Sequence, residues 1–222
     1  MGSRTARSRP VRVCIEATDK RAFASAVDWP GWSRVAKSEE AALAALAEHA
    51  QRYVAVAAEA GVAFAPGQYV VIERVRGTAT TDFGAPDRAA AAERDPLTSA
   101  EARRVVSLVT AAWVVLDRVV AGAPQLLRKG PRGGGRDRDA IVEHVLSAEH
   151  AYARKLGVTV PAPHRGDKKA IAVMREAILE ALDGARDAKP SVERGWLPRY
   201  AARRISWHAL DHAWEIENRS ET

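Results

Sequence analysis

The sequence predicts a small α+β module of β-β-α-β order followed by an all-α four-helix bundle. From Val11 onward, hydrophobic and polar residues alternate, which is the period of a half-buried strand. From Thr98 onward, hydrophobic residues recur every three or four positions, as they do on the inner face of amphipathic helices. Residues 78–96 separate the two patterns. They contain Gly, Thr, Asp, Pro and a short Ala run, and are predicted as a linker.

The α+β module covers residues 11–77. Asp19 and Lys20 suit a hairpin turn between the first two strands. Ser38 is a suitable N-cap for the following helix, and Gly61 is a suitable residue to end it. Strands are expected over residues 11–16, 21–27 and 69–76, and a single helix over residues 38–60.

The bundle covers residues 97–222. The first of its helices carries Val105, Val109 and Leu116 on one stripe, and three later segments have comparable stripes. Because bundles of this kind often pair, a homodimer is compatible with this prediction. Helices are expected over residues 98–121, 168–185 and 197–218, and another from residue 137 or 139 to residue 156.

The charge pattern does not favour a nucleic-acid partner. The chain has 34 basic and 28 acidic residues, a formal net charge of +6. A nucleic-acid-binding surface concentrates such an excess in one patch. Here the basic residues cluster at the N-terminus and over residues 128–138, and elsewhere the two signs are interspersed. Residues 1–10 are therefore predicted as a disordered basic tail.

Cys14 is the sole cysteine, which excludes an internal disulfide and a cysteine-rich zinc knuckle. Its place in an alternating run predicts a buried thiol.

No stretch approaches the roughly 20 apolar residues that cross a bilayer, and the N-terminus lacks the apolar core of a signal peptide. We therefore expect no membrane association and a cytoplasmic protein.

His208 and His212 are four residues apart, so on a helix both imidazoles leave the same face. Ile205 and Ile216 share that stripe, which predicts that the pair points into the bundle. Core histidines with polar partners are one explanation of the spacing. A shared metal ion is the other, because it would satisfy both neutral rings at once.

His144 supplies a third ligand for such a metal. It lies on the inward stripe of the second bundle helix, three residues after Ile141. If the second and fourth helices face each other, all three imidazoles meet at one centre. The remaining histidines, His49, His150 and His164, are predicted to lie at the surface.

Residues 97–222 resemble the DinB/YfiT-like metalloenzyme superfamily, which includes bacterial thiol S-transferases. The resemblance rests on residues 141–149, IVEHVLSAE, and 205–215, ISWHALDHAWE. It implies that His144, His208 and His212 bind a divalent metal, usually zinc or nickel. It also implies a small-molecule thiol and an electrophile as substrates.

The first module resembles HicB-like antitoxin domains. The resemblance rests on the strand pair, on residues 28–31, DWPG, and on residues 38–41, SEEA, which begin the helix. It implies a protein partner, which in that family is a small toxic RNase. A Pro-Gly turn and a good helix start also occur in many other α+β domains.

Four carboxylates near the predicted ligands are candidates to accept an imidazole N–H or to transfer protons: Glu143, Glu149, Asp211 and Glu215. Each is alternatively an ordinary charge on a helix surface. Tyr152, Trp207 and Trp214 are candidates for a pocket mouth or for core packing.

Three functions are compatible with these residues. The first is a metal-dependent enzyme that transfers a low-molecular-weight thiol to an electrophilic small molecule through a metal-bound thiolate. The second is a metal-dependent hydrolase or isomerase that uses a metal-bound water. The third is a non-catalytic protein whose first module binds a partner and whose metal is structural.

Overall fold

The computed structural model describes residues 9–130 and 133–220. The predicted basic tail therefore lies outside the described residues, except for Arg9 and Pro10. These two residues begin the first strand.

A four-stranded mixed sheet forms the N-terminal part, with the strand order β3-β2-β1-β4. Strand β1 pairs antiparallel with β2 and parallel with β4, and β2 pairs antiparallel with β3. The strands are β1 (Arg9–Ala17), β2 (Ala22–Ala26), β3 (Ser33–Ala36) and β4 (Pro66–Arg76). The β-β-α-β prediction missed β3, because four residues are too few to display a clear alternation.

The predicted helix over residues 38–60 is two helices, α1 (Glu39–Glu48) and α2 (Ala50–Glu59), which meet at His49. Ser38 is the N-cap of α1, as predicted, and its side chain accepts a hydrogen bond from the N–H of Ala41. Gly61 follows α2 with a φ of +64°, the left-handed conformation expected where a helix ends.

Four long helices follow, and their bounds agree with the prediction to within two residues. Helix α4 contacts both α6 and α7, and α5 contacts the same two helices. Thr98 caps α4 in a reciprocal box with Glu101. The helices of this part are a short α3 (Ala79–Phe83), then α4 (Ser99–Gly122), α5 (Arg138–Lys155), α6 (Lys168–Gly184) and α7 (Pro198–Ser220).

Residues 78–96 are packed structure, in contrast to the predicted linker. They contain α3 and a 3-10 turn (Ala91–Arg94) that lie against the sheet. The reason is a buried carboxylate on β1: Glu16 accepts hydrogen bonds from the backbone N–H groups of Asp87 and Arg88, each at 2.9 Å. It also accepts one from the hydroxyl of Thr81. A buried charge needs such donors, so the segment folds onto it.

The sheet and the long helices share a hydrophobic core. Trp32 and Tyr53 stack at its centre, together with Leu210 of α7 and Ala111 of α4. On the opposite face of the sheet, Phe23 meets Trp207 of α7 edge to face, with ring centroids 5.9 Å apart. Helix α7 therefore packs directly against the sheet as well as against the other long helices.

In contrast to the expectation that no stretch is apolar enough, helix α4 could cross a membrane by length and composition alone, with a mean hydropathy of 1.8 over 18 residues. Core helices of soluble proteins pass the same test, and 44% of that window is buried here.

Cys14 is buried, as predicted, and burial raises the pKa of its thiol to about 12.

Candidate metal centre

The three predicted histidines meet between α5 and α7. His144 projects from α5, and His208 and His212 project one turn apart from α7. The Nε2 atoms of His144 and His208 are 3.2 Å apart, and one ring nitrogen from each of the three residues lies within 4.8 Å of the others. Ring centroids are 5.0 Å apart for His144 and each of the other two, and 4.7 Å for His208 and His212.

This geometry fits a divalent cation. Two nitrogens that bind one tetrahedral ion, each about 2.0–2.1 Å from it, lie roughly 3.3–3.4 Å apart. The 3.2 Å separation of the His144 and His208 nitrogens is close to that value. Imidazole nitrogens suit zinc and nickel among the biological metals. The three residues could therefore hold such an ion.

Burial keeps two of the imidazoles, those of His208 and His144, in the form that binds a metal. The His208 side chain is 6% exposed, and this burial, with the neighbouring rings of His212 and His144, lowers its pKa well below the ordinary value of 6.5. Burial also lowers the pKa of His144. A neutral ring has a nitrogen lone pair to donate, so neutral histidines are pre-arranged as ligands.

Glu215 orients the third ring. The Nδ1 atom of His212 lies 2.8 Å from a carboxylate oxygen of Glu215, and Arg219 donates to the other oxygen at 2.7 Å. A carboxylate only accepts hydrogen bonds, so Nδ1 carries the proton and Nε2 is free to face the centre. The hydrogen bond from His212 lowers the pKa of Glu215. This arrangement is the usual support for a metal-binding histidine.

The other three predicted carboxylates lie apart from the imidazoles. Glu143 is 54% exposed and lies 4.0 Å from Arg165. Glu149 is buried and pairs with Arg175 of α6 at 3.3 Å. Asp211 pairs with Arg34 of β3 at 3.0 Å. Asp211 follows His208 by three residues, the same spacing that separates Glu215 from His212, but its carboxylate pairs with Arg34 and not with an imidazole.

The aromatic candidates divide in the same way. Tyr152 is half-buried beside His208, with ring centroids 5.7 Å apart. Trp207 and Trp214 are 4% and 3% exposed, so both fill the core.

Two of the three histidines predicted at the surface are half-buried. His150 contacts the carbonyl oxygen of Val160 at 2.9 Å, and the His49 ring lies 5.4 Å from that of Trp214. His164 is exposed, as predicted.

Sequence reasoning missed Arg204, which lies one turn before His208 on α7. Its guanidinium carbon is 5.4 Å from the ring centroid of Tyr152 and 5.1 Å from that of Trp207. The available signal was its spacing, since Arg204, His208 and His212 recur at four-residue steps.

Two surface cavities lie away from the histidines. One, of about 610 Å³, is lined by the β1–β2 turn and the start of α3. The other, of about 390 Å³, has Trp196 and Tyr200 in its wall. Comparison of the chain with protein-family models, with curated proteins and with solved structures gives no match.

Proposed function

We propose that this protein is a metal-dependent enzyme whose centre is formed by His144, His208 and His212. The observation that carries the proposal is the convergence of three ring nitrogens from two helices, one ring held by Glu215. Two of the rings are only partly buried, which leaves a side of the centre open to a substrate. Catalytic sites keep such an open position, whereas structural sites are closed by a fourth ligand.

The four long helices support a four-helix bundle of the DinB-like type as the scaffold. Each of α4 and α5 contacts both α6 and α7, and residues of all four share one apolar core. The centre then lies between two neighbouring helices, where bundle proteins commonly build metal sites.

The reaction that we propose is transfer of a small-molecule thiol to an electrophile. A divalent metal bound by three neutral histidines keeps its full charge and acidifies a thiol or water at its open position. The residues of the chain hold the metal and fix the ring orientations, and the half-buried Tyr152 lies beside His208. In the transfer, the sulfur forms a bond to carbon, the leaving group departs with its electron pair, and the thiol proton goes to solvent.

The first test is metal content. The full chain is purified without a histidine tag, and bound metal is measured by mass spectrometry beside the variants His208→Ala and His164→Ala. We expect close to one zinc or nickel ion per chain in the wild type and in His164→Ala, and a loss in His208→Ala. His164 is an exposed histidine outside the centre and controls for adventitious binding. A wild type that stays free of metal after reconstitution would refute the proposal.

The second test separates thiol transfer from hydrolysis. Chlorodinitrobenzene is supplied with and without mercaptoethanol, and the thioether and the hydrolysis product are measured separately. Thiol transfer predicts metal-dependent thioether formation, with chloride released. Turnover without thiol would indicate the hydrolase alternative instead.

A further inference from the structure

Two consecutive arginines of α7, Arg203 and Arg204, are both buried, with exposures of 2% and 6%. The charge of Arg203 is balanced by Glu93, which accepts hydrogen bonds from its Nε and Nη2 atoms at 2.6 Å and 2.9 Å. Arg204 forms no ion pair with any carboxylate in residues 9–130 and 133–220. The two neighbours therefore differ in how their charge is balanced.

The donors of Arg204 are largely unused. Its Nε and Nη1 atoms are buried and have no hydrogen-bond partner within the described chain. Its Nη2 atom lies 3.4 Å from the hydroxyl of Tyr152, which is a long contact. A buried guanidinium without an anion is costly, since it has lost its water and gained no charged partner.

Aromatic rings surround this guanidinium and offer it no charged acceptor. Its central carbon is 5.4 Å, 5.8 Å and 5.1 Å from the ring centroids of Tyr152, Trp196 and Trp207. Cation–π contacts offset part of the cost of burial, but ring faces accept no strong hydrogen bond. An oxyanion would satisfy the unused donors and balance the charge.

Arg204 is also next to the histidine centre. It precedes His208 by one helical turn, about 6 Å along the axis, and Tyr152 contacts both residues. Arg136 adds a second positive charge near His144 and His208, and Glu215 is the acidic group near His144. With a divalent cation bound, this region is strongly positive and favours an anionic ligand.

We infer that Arg204 binds the carboxylate of the small-molecule substrate that reacts at the histidine centre. This inference rests on the proposed function and names its substrate class: a thiol or electrophile that carries a carboxylate. A single negative charge matches the single guanidinium, and both oxygens of a carboxylate can accept hydrogen bonds from its donors. Arg204 thus positions the substrate, with its reactive end toward the histidines.

The test compares two thiols of similar length, mercaptopropionate and mercaptopropanol. Their affinities for the zinc-reconstituted full chain are measured by quenching of tryptophan fluorescence, because Trp196 and Trp207 flank Arg204. The measurement is repeated without zinc and with Arg204→Met. We expect the wild type to prefer the carboxylate by about tenfold or more, the gain typical of a hydrogen bond to a charged group. The preference should shrink to about twofold or less in Arg204→Met, with zinc content unchanged.

Each alternative outcome has a distinct meaning. Equal affinities for the two thiols in a zinc-loaded wild type would overturn the role of Arg204 and leave the metal centre intact. Failure to bind zinc would refute the proposed function, while the affinity ratio in the zinc-free protein still decides the role of Arg204. Stronger competition by inorganic phosphate than by acetate would overturn the carboxylate assignment.

Thermal melting of Arg203→Met and Arg204→Met supplies a matched control for folding. Arg203→Met should melt at a lower temperature, because it leaves Glu93 unpaired. Arg204→Met should melt at the wild-type temperature or above, because it removes an uncompensated charge. A large fall in the melting temperature of Arg204→Met would show that the guanidinium stabilises the fold, and this would overturn the inference.

Discussion

The carboxylate of Glu93 accepts two hydrogen bonds from the guanidinium of Arg203, and the two side chains are 1% and 3% exposed. The pair joins the 3-10 turn to α7, which carries two of the three histidines. Arg203 also donates to the carbonyl oxygen of Arg88 at 2.7 Å. Residues 78–96 are thereby held against the helix that forms the candidate centre.

Removal of one charge from this pair should destabilise the protein strongly. We expect Glu93→Gln to lower the free energy of unfolding by about 3–5 kcal/mol, because Arg203 would remain buried without a counter-charge. Urea denaturation of the variant and of Glu48→Gln, an exposed control on α1, measures the effect. Equal losses in the two variants would contradict the importance of the buried pair.

Glu215 should contribute to metal affinity without binding the metal itself. We expect Glu215→Gln to weaken zinc binding by about 10–100-fold, since the amide orients the His212 ring less strongly and makes its nitrogen less basic. Competition with a chromogenic chelator measures the affinity. Glu143→Gln is the control, because Glu143 is exposed and adjacent to a ligand in sequence only. Equal affinities in the two variants would exclude the role given to Glu215.

Gly31 marks the closest approach of the turn before β3 to α7. Its φ is +93°, and a Cβ atom there would lie 2.6 Å from Cδ1 of Leu210 and 3.0 Å from Cβ of Ser206. We expect Gly31→Ala to lower the free energy of unfolding by more than about 1 kcal/mol. Gly122→Ala, at the end of α4 with nothing within 4 Å, should be neutral or stabilising by up to about 1 kcal/mol. Denaturant titration of both variants checks the contrast, and a neutral Gly31→Ala would argue against this packing.

Glu149 should make stability depend on pH. Burial raises its pKa above the ordinary 4.5, against the opposing effect of Arg175. The folded state then binds more protons than the unfolded state above pH 4.5, so the free energy of unfolding falls as pH rises through the raised pKa. We expect Glu149→Gln to lack this fall, so that its stability relative to wild type increases from pH 4.5 to neutral pH. Urea denaturation across this pH range, with the exposed Glu180→Gln as control, tests this prediction. A difference in the free energy of unfolding between Glu149→Gln and the wild type that does not change with pH would refute it.

The hydrophobic periodicity of the sequence was sufficient to place the four long helices. Their bounds depend on local signals, such as the capping box of Thr98 and Glu101, that act within one turn. The same logic predicted that His208 and His212 share a face of α7. It could not predict β3 or the break at His49, because short elements carry too few residues for a period to emerge.

The sequence alone determined which residues are candidates for the centre, because spacing along a helix is a local property. Only the tertiary structure decided that α5 lies beside α7, so that His144 meets the other two rings. It also decided that Glu215 contacts an imidazole while Glu149 and Asp211 pair with arginines from distant elements. The tertiary structure also decided the fold of residues 78–96, because these residues supply hydrogen-bond partners to the buried Glu16 and Arg203. Such pairings join residues far apart in the chain and depend on burial and charge balance, which no local pattern encodes.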